Sequence, residues 1–284
     1  MRKINRLTLV DAVEKMIIDA NINLDLKMVL RLQLAQQNES SDIAKNILGQ
    51  ILENQEIARN ESIPMCQDTG VAVFIVEIGN EVFLDFELEA AINESVRNAY
   101  KKGYLRKSVV NHPLERKNTL DNTPAIIHIR QIMGDTLKIK MAAKGAGSEN
   151  MSVMKMMTPS DGRQGIVDFV LKTVLEAGGK PCPPIIIGLG IGGNFEKVTE
   201  IAKEAIFRDL DDEAINPLDR SLEVELLKKV NELNVGPMGL SGKTTCIAVK
   251  VNSYPCHIAS LPVAVNIQCH AARHKEIELR GEML

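Results

Sequence analysis

The chain has 284 residues, 45% of them hydrophobic, and a net charge of −3 from 34 basic and 37 acidic side chains. A chain of this length can bury a core without disulfides. The charge balance and the 3% aromatic content argue against nucleic-acid binding, which uses basic surfaces and stacking side chains. No apolar run approaches the roughly 20 residues that cross a bilayer. Five cysteines without a secretory signal predict a reducing, cytoplasmic location.

The first sixty residues are predicted to be helical, because their apolar residues recur three or four positions apart. We expect helices over residues 7–20, 24–37 and 41–59. The run Ser40-Ser41-Asp42 supplies an N-cap for the third helix.

The period of the pattern changes after residue 70. β-rich runs at 71–78, 82–86, 126–133, 137–142, 185–189, 245–251 and 263–267 predict strands, and 87–102, 160–177, 195–207 and 222–233 predict helices. Residues 106–122 are too polar and too rich in Asn and Pro for a regular element. The order predicts a mixed α/β fold in a single domain, in which a helical N-terminal region (1–60) packs on an α/β body with short sheets (61–284).

Two glycine-rich segments resemble nucleotide-binding motifs. Residues 188–193 read G-x-G-x-x-G between a predicted strand and a helix, which is the context of a dinucleotide-binding loop. A tight strand-to-helix turn is the alternative. Residues 236–244 resemble a phosphate-binding loop, but Pro237 stands where that motif needs glycine, and the following residues predict a strand instead of a helix. We therefore expect no ATP site there.

Two other loops concentrate polar groups next to predicted strands. Met65-Cys66-Gln67-Asp68-Thr69-Gly70 combines a thiol, an amide, a carboxylate and a hydroxyl, which is typical of a functional loop. Cys66 could equally be a structural thiol. Residues 144–150 (KGAGSEN) offer backbone N–H groups beside a lysine, an arrangement that suits a carboxylate; a flexible turn is the alternative.

Several motifs together resemble one enzyme family. They keep one order along residues 60–275 and are CQDTG (66–70), NTLDNTP (118–124), KGAGSEN (144–150), PCPP (181–184), IGG (191–193), GPMG (236–239) and SLP (260–262), followed by Cys269. In this combination the chain resembles class I, iron–sulfur fumarate hydratases in their α subunit or N-terminal domain, the family shared with L-tartrate dehydratase α subunits.

The resemblance implies a [4Fe–4S] cluster held by three cysteines, which correspond to Cys66, Cys182 and Cys269. A cluster of this kind normally takes four thiolates, so one iron is left open to act as a Lewis acid on the substrate. Cys246 and Cys256 match no ligand position, and we expect both to be structural thiols.

The resemblance also implies roles for polar residues. Gln67 and Asp68 follow the first ligand and should face the open iron, with Asp68 and His257 as catalytic residues. Arg106 corresponds to an arginine that pairs with a substrate carboxylate, a task that suits its planar fork. On residue type alone, Arg106 could be a surface cation and His257 a core histidine.

In loop 144–150 the resemblance implies that Gly145 and Gly147 donate backbone N–H groups to a substrate carboxylate. Ala146 replaces a glycine that is common in the family. An alanine there would be strained if the backbone needed a positive φ.

The function implied is the reversible hydration of fumarate to L-malate, a step of the tricarboxylic acid cycle. The chain corresponds to a cluster-binding α subunit whose site needs a β subunit, in an expected α2β2 complex. The alternatives are the α subunit of an L-tartrate dehydratase or another substituted-fumarate hydratase, a nicotinamide-dependent oxidoreductase built on residues 188–193, and a non-catalytic iron–sulfur scaffold.

Overall fold

The computed structural model describes residues 1–284. Its helices are Arg6–Ile22 (α1), Leu26–Asn38 (α2), Asp42–Glu61 (α3), Leu88–Lys102 (α4), Ala146–Glu149 (α5), Gly162–Ala177 (α6), Phe195–Ala205 (α7) and Pro217–Glu232 (α8). Its strands are Arg2–Lys3 (β1), Val71–Gly79 (β2), Val82–Phe83 (β3), Ile126–Ile132 (β4), Thr136–Lys144 (β5), Val153–Met157 (β6), Ile185–Gly192 (β7), Cys246–Tyr254 (β8), Leu261–Gln268 (β9), His274–Arg280 (β10) and Glu282–Met283 (β11). None of the helices combines the length and apolar character that a membrane crossing needs.

The chain forms two compact units. The first contains Met1–Leu24, Asn54–Ala146 and Arg273–Leu284, and the second contains Asp25–Glu53 and Gly147–Ala272. Helix α2 and most of α3 group with the C-terminal half of the chain; the single domain with a helical region over residues 1–60 stays a prediction. The mixed α/β class itself is confirmed.

The first unit is built on a four-stranded sheet with the order β10-β5-β2-β4. Strand β2 pairs parallel with β4 and antiparallel with β5. Its central residues are buried, as expected of an interior strand. Helices α1 and α4 share a core with the sheet that includes Leu9, Val13, Phe74, Ile92 and Ile139. The helix that the apolar spacing predicted here is present, and its buried residues pack against the sheet.

The second unit is built on a sheet with the order β6-β9-β7-β8. Strands β7 and β8 run parallel, and β9 runs antiparallel to β7. Helices α6 and α8 pack on one face through residues such as Val170 and Leu226, which share a core with Ile187 and Leu189 of β7. Side chains alternate between faces along a strand, so Gly188 and Gly190 face the other side of the sheet.

The G-x-G-x-x-G pattern has a packing explanation. Gly188 and Gly190 lie inside β7, and a Cβ atom on them would stand 2.3 Å from the Ala202 carbonyl oxygen and 2.2 Å from the Val198 carbonyl oxygen of α7. The glycines therefore let this helix approach the strand. A dinucleotide fingerprint needs its glycines in the loop after the strand, so the context on which the nicotinamide alternative depended is not present.

Most element bounds agree with the sequence predictions to within a few residues. Ser41 caps α3 as predicted, since its hydroxyl accepts the Ala44 N–H at 3.3 Å. Strands β6 and β10 were not predicted. Strand β6 has a mostly exposed pattern and β10 alternates charged with apolar residues, so neither forms an apolar run.

Residues 236–244, the segment that resembled a phosphate-binding loop, are held by hydrogen bonds to the Glu39 side chain of the same unit. Glu39 is buried, with a relative exposure of 3%, and its carboxylate accepts backbone N–H groups from Ser40 at 2.8 Å and Lys243 at 2.7 Å. Burial alone would raise the pKa of Glu39, but bonds from the N–H groups of Ser40, Ser41, Lys243 and Thr244 outweigh it and hold the pKa below its usual value. The segment continues into strand β8, as predicted.

This anchor predicts a pH-dependent contribution to stability. Because the folded pKa of Glu39 is depressed, its contribution is present above about pH 4.3, the pKa of an unfolded glutamate, and is lost as the pH falls through the folded pKa. Glu39→Gln places an amide N–H where an acceptor is needed. We expect the free energy of unfolding, measured in urea at pH 7, to fall by about 1–3 kcal/mol.

The matched control is Glu53→Gln, since Glu53 is exposed in the same unit and should change stability little. Repeating both titrations at pH 3.5 should shrink the difference between Glu39→Gln and the unmodified chain. A deficit that stays constant across this range would contradict the role assigned to the Glu39 charge.

Candidate active site

The loop of residues 66–70 joins α3 to β2 and has its backbone held by buried side chains. The Tyr100 hydroxyl lies 2.8 Å from the Thr69 carbonyl oxygen and 3.0 Å from that of Gly70. The Asn122 side-chain amide donates to the same Gly70 carbonyl at 3.1 Å. Burial raises the pKa of the Tyr100 phenol, so the hydroxyl stays protonated and able to donate. The loop is therefore a fixed part of the first unit.

Asp68 connects this loop to the one that follows β5. Its Oδ1 accepts the Gly70 N–H at 3.0 Å, and its Oδ2 accepts the Ala146 N–H at 2.8 Å. Both carboxylate oxygens are thus engaged by backbone donors. A Cβ on Gly145 would stand 3.1 Å from Asp68 Oδ2, so a side chain at this position would crowd the carboxylate. This geometry favours a role for Asp68 in fixing the loops.

Glycine is required at position 70. Gly70 has a φ of +68°, and a Cβ there would stand 2.4 Å from the Lys144 carbonyl oxygen. Ala146, by contrast, is not among the residues with positive φ and begins α5. The replacement of a family glycine at this position therefore causes no backbone strain.

Arg106 and Gln67 stand at the same loop with exposed side chains. The Arg106 carbonyl oxygen accepts the Thr69 hydroxyl at 2.9 Å, which ties the arginine's backbone to loop 66–70. Cys66 is half-buried and forms no disulfide. The first unit thus brings together Cys66, Gln67, Asp68, Arg106 and Gly145.

In the second unit the loops of Cys182 and Cys269 meet. The His270 N–H donates to the Cys182 carbonyl oxygen at 3.4 Å, and His270 Nδ1 lies 2.9 Å from the same oxygen. Both thiols are half-buried and free of disulfides. Gly147 lies on the same side of this unit, since a Cβ on it would stand 3.1 Å from the Lys180 carbonyl oxygen.

The remaining two cysteines differ in their surroundings. Cys246 is 2% exposed, and burial raises the pKa of its thiol to about 12, which disfavours the thiolate that metals bind. Cys256 is exposed and lines a cavity of about 530 Å³ together with His257, Arg163 and Asp219.

His257 lies in the loop before β9, whereas Cys269 follows the other end of that strand. Eight residues of β9 separate the two ends by about 25 Å at ~3.3 Å per residue. Within one chain, His257 is therefore not brought to the Cys182 and Cys269 loops. Its Nδ1 accepts the Ala259 N–H at 3.1 Å, which orients the ring in its own loop.

The thiols fit an iron–sulfur group in the kind of donor they offer. The Gln268 side-chain amide lies 3.8 Å from Cys269 Sγ, and N–H donors to sulfur are one of the means by which proteins tune such clusters. No group of three or more His, Cys, Asp or Glu side chains in the structure could hold a metal ion. Cys66 belongs to the first unit and the other two thiols to the second, so the three-cysteine ligand set stays a proposal.

Comparisons with known proteins give the family. A model of the family described as fumarate hydratase (fumerase) matches residues 10–278. A chain from Methanocaldococcus jannaschii with the provisional name L(+)-tartrate dehydratase subunit alpha is 41% identical over 282 residues, covering 96% of this chain and 99% of the relative. The L(+)-tartrate dehydratase subunit alpha of Escherichia coli strain UTI89 is 29% identical over 259 residues, covering 90% and 86%.

The matched family consists of hydro-lyases, enzymes that add water to a substrate or remove it. The chain belongs to this fumarate hydratase family, in which its relatives include the tartrate dehydratase α subunits. The resemblance carried by the cysteine and glycine motifs is therefore confirmed.

Sequence reasoning missed the residues that hold the loops. Tyr100, Asn122, His270 and Arg273 have no motif of their own, and their partners are distant in sequence. Asn122 alone had a signal, since it lies within the 118–124 motif that carried the family resemblance.

The thiol environments predict an order of chemical reactivity. In the metal-free chain under native conditions, iodoacetamide should alkylate the exposed Cys256 and leave Cys246 unmodified, because the thiolate is the reactive species and Cys246 is buried with a raised pKa. Peptide mapping by mass spectrometry before and after unfolding measures both sites in one sample. Modification of native Cys246 as fast as Cys256 would refute the buried environment described for it.

Proposed function

We propose that this chain is the cluster-binding α subunit of a [4Fe–4S] hydro-lyase that reversibly hydrates fumarate to L-malate in the cytoplasm, as a step of the tricarboxylic acid cycle. The observation that carries the proposal is the fixed loop 66–70, with Cys66, Gln67 and Asp68 beside the exposed Arg106. In this proposal Cys66, Cys182 and Cys269 are the three protein ligands of the cluster. The other two cysteines serve the fold.

The bound cluster would supply a Lewis-acidic iron with no protein thiolate. The chain's own residues bind and orient the substrate. Arg106 would pair with one carboxylate of the dicarboxylate, since its side chain is exposed and its backbone is tied to Thr69 at 2.9 Å. The amide of Gln67 would add a hydrogen bond to the substrate beside it.

Loop 144–150 would receive the second carboxylate through the backbone N–H groups of Gly145 and Gly147. The support is that Asp68 Oδ2 already fixes the Ala146 N–H at 2.8 Å, so the peptide groups on either side have a set direction. Asp68 would act by holding both loops in register. Proton transfer would then need a group other than an Asp68 carboxylate engaged by two backbone donors.

His257 keeps a catalytic role in this proposal only if it comes from another copy of the chain. The length of β9 separates it from Cys269 within one chain, and a proton-transfer residue must come within hydrogen-bond reach of its substrate. An α2β2 complex would contain the second copy. The relatives named as alpha subunits support a β subunit partner that supplies the remaining groups.

A second candidate is the dehydration of L-tartrate to oxaloacetate. It is favoured by the names of the relatives, both of which are tartrate dehydratase α subunits. The two reactions share the removal or addition of water next to a carboxylate. L-Tartrate carries a second hydroxyl that L-malate lacks, so the two reactions need sites that accommodate or exclude this group.

The experiment is anaerobic co-expression with the β subunit and assay of fumarate, L-malate, mesaconate and L-tartrate at equal concentrations. We expect the complex to turn over fumarate and L-malate fastest, and the isolated α subunit to be inactive because it holds only part of the site. Faster turnover of L-tartrate would transfer the assignment to the second candidate. Full activity of the isolated chain would contradict the need for a β subunit.

Matched variants of the same complex test the carboxylate anchor. Arg106→Ala should lower kcat/KM by roughly tenfold or more, the value of a hydrogen bond to a charged group, while Lys107→Ala, an exposed neighbouring cation, should change it little. Equal effects of the two variants would show that only general surface charge matters.

A further inference from the structure

Arg273 is the largest fully buried side chain in the protein, with a relative exposure of 1%. It lies between Cys269 and strand β10, and its carbonyl oxygen accepts the Ala143 N–H at 3.1 Å. Its guanidinium group reaches the inner side of loop 66–70. Nη1 donates to the Asp68 carbonyl oxygen at 2.5 Å and to Asn21 Oδ1 at 3.4 Å.

No carboxylate forms a direct ion pair with this arginine. Both hydrogen bonds go to neutral oxygens, and the buried Nε atom has no partner at all. The Asp68 carboxylate is engaged by the N–H groups of Gly70 and Ala146 and forms no ion pair with the guanidinium group. An arginine stays protonated in proteins, so a full positive charge is buried here without a direct ion pair, and the Asp68 carboxylate near it is already engaged by backbone donors.

Arg208 shows how the same chain treats another largely buried arginine. Its guanidinium group pairs with Asp212 at 2.9 Å and with Glu223 at 2.7 Å, and it also donates to the Val251 carbonyl oxygen at 2.8 Å. A buried charge without such partners destabilises a fold. An anion bound from outside the chain near Arg273 would lower this cost.

The position of the guanidinium group indicates where that anion would bind. Nη2 lies 3.4 Å from the point where a Cβ of Gly145 would stand, and Asp68 Oδ2 lies 3.1 Å from the same point. Arg273 therefore stands behind the junction of loops 66–70 and 144–146, and its partner Asp68 is two residues from Cys66 along the first loop. It is covered by these loops, so its charge acts through them and not by contact.

We propose that Arg273 is a positioning residue that fixes loop 66–70 through the Asp68 carbonyl oxygen and supplies the buried positive charge that favours an anion bound at this loop. The proposal rests on the proposed function for the identity of the anion. It is either the thiolate-bound iron–sulfur group at Cys66 or a carboxylate of the substrate. In the low-dielectric interior, a charge acts strongly over the short distance to the loop surface.

The first arm of the test uses the metal-free chain and no substrate. Arg273→Gln removes the buried charge together with the bonds to the Asp68 and Asn21 oxygens; these two effects oppose each other, so the thermal midpoint should fall less than in Arg208→Gln. Arg208→Gln is the control and should lower the midpoint, because it leaves Glu223 buried without its partner. This arm does not depend on cluster or activity, so it remains informative if the proposed function fails.

The second arm uses the reconstituted complex and adds Arg273→Lys, which keeps the positive charge but lacks the planar guanidinium group. If the anion is the iron–sulfur group, Arg273→Gln should make its midpoint potential, measured by redox titration with electron paramagnetic resonance, more negative, and Arg273→Lys should restore it. If the anion is a carboxylate, the potential should stay constant and the KM for L-malate should rise about tenfold or more.

The proposal is overturned if metal-free Arg273→Gln is destabilised as much as Arg208→Gln. It is equally overturned if potential and KM are both unchanged in the reconstituted variant. Failure of the unmodified chain to take up iron would refute the proposed function instead, and the metal-free comparison would still decide whether burial of the Arg273 charge costs stability.

Discussion

The bridge formed by the Asp68 carboxylate is the interaction on which the geometry of the candidate site depends. One carboxylate accepts the Gly70 N–H on its own loop and the Ala146 N–H on another, so two irregular segments become one surface. Loops without regular structure need such bonds, because their backbone groups have no ladder to join. Tyr100, Asn122 and Arg273 hold the carbonyl side of the same loop. The Cys66 side chain is thereby presented from a fixed backbone, which is what ligand binding at a defined position requires.

Local patterns predicted most of the fold because they have local causes. Apolar spacing identified α1 and α4, and β-branched runs identified β2 and β7, in each case because one face is buried against a shared core. Strands β6 and β10 were missed because they carry exposed or charged residues and are strands only through their pairing with β9 and β5. The grouping of α2 with the C-terminal half depends on tertiary contacts that no short window contains.

The candidate site could be predicted only by the order of its motifs. Cys66, Cys182 and Cys269 are separated by about a hundred residues each and form no short cysteine motif, so their selection over Cys246 and Cys256 came from family resemblance. The structure adds a physical reason for leaving out Cys246, whose thiol is buried with a raised pKa. Arg273 could not be found from sequence, since nothing in an Arg-His dipeptide indicates that the arginine is buried beneath a loop some two hundred residues away.

The most direct test of the three-cysteine cluster is Mössbauer spectroscopy of the αβ complex reconstituted anaerobically with iron-57. The unmodified complex and Cys246→Ser should show four iron sites, one of which differs from the other three because it has no thiolate. Cys66→Ser, Cys182→Ser and Cys269→Ser should each lose this signal. Four equivalent iron sites, or loss of the cluster in Cys246→Ser alone, would contradict the account.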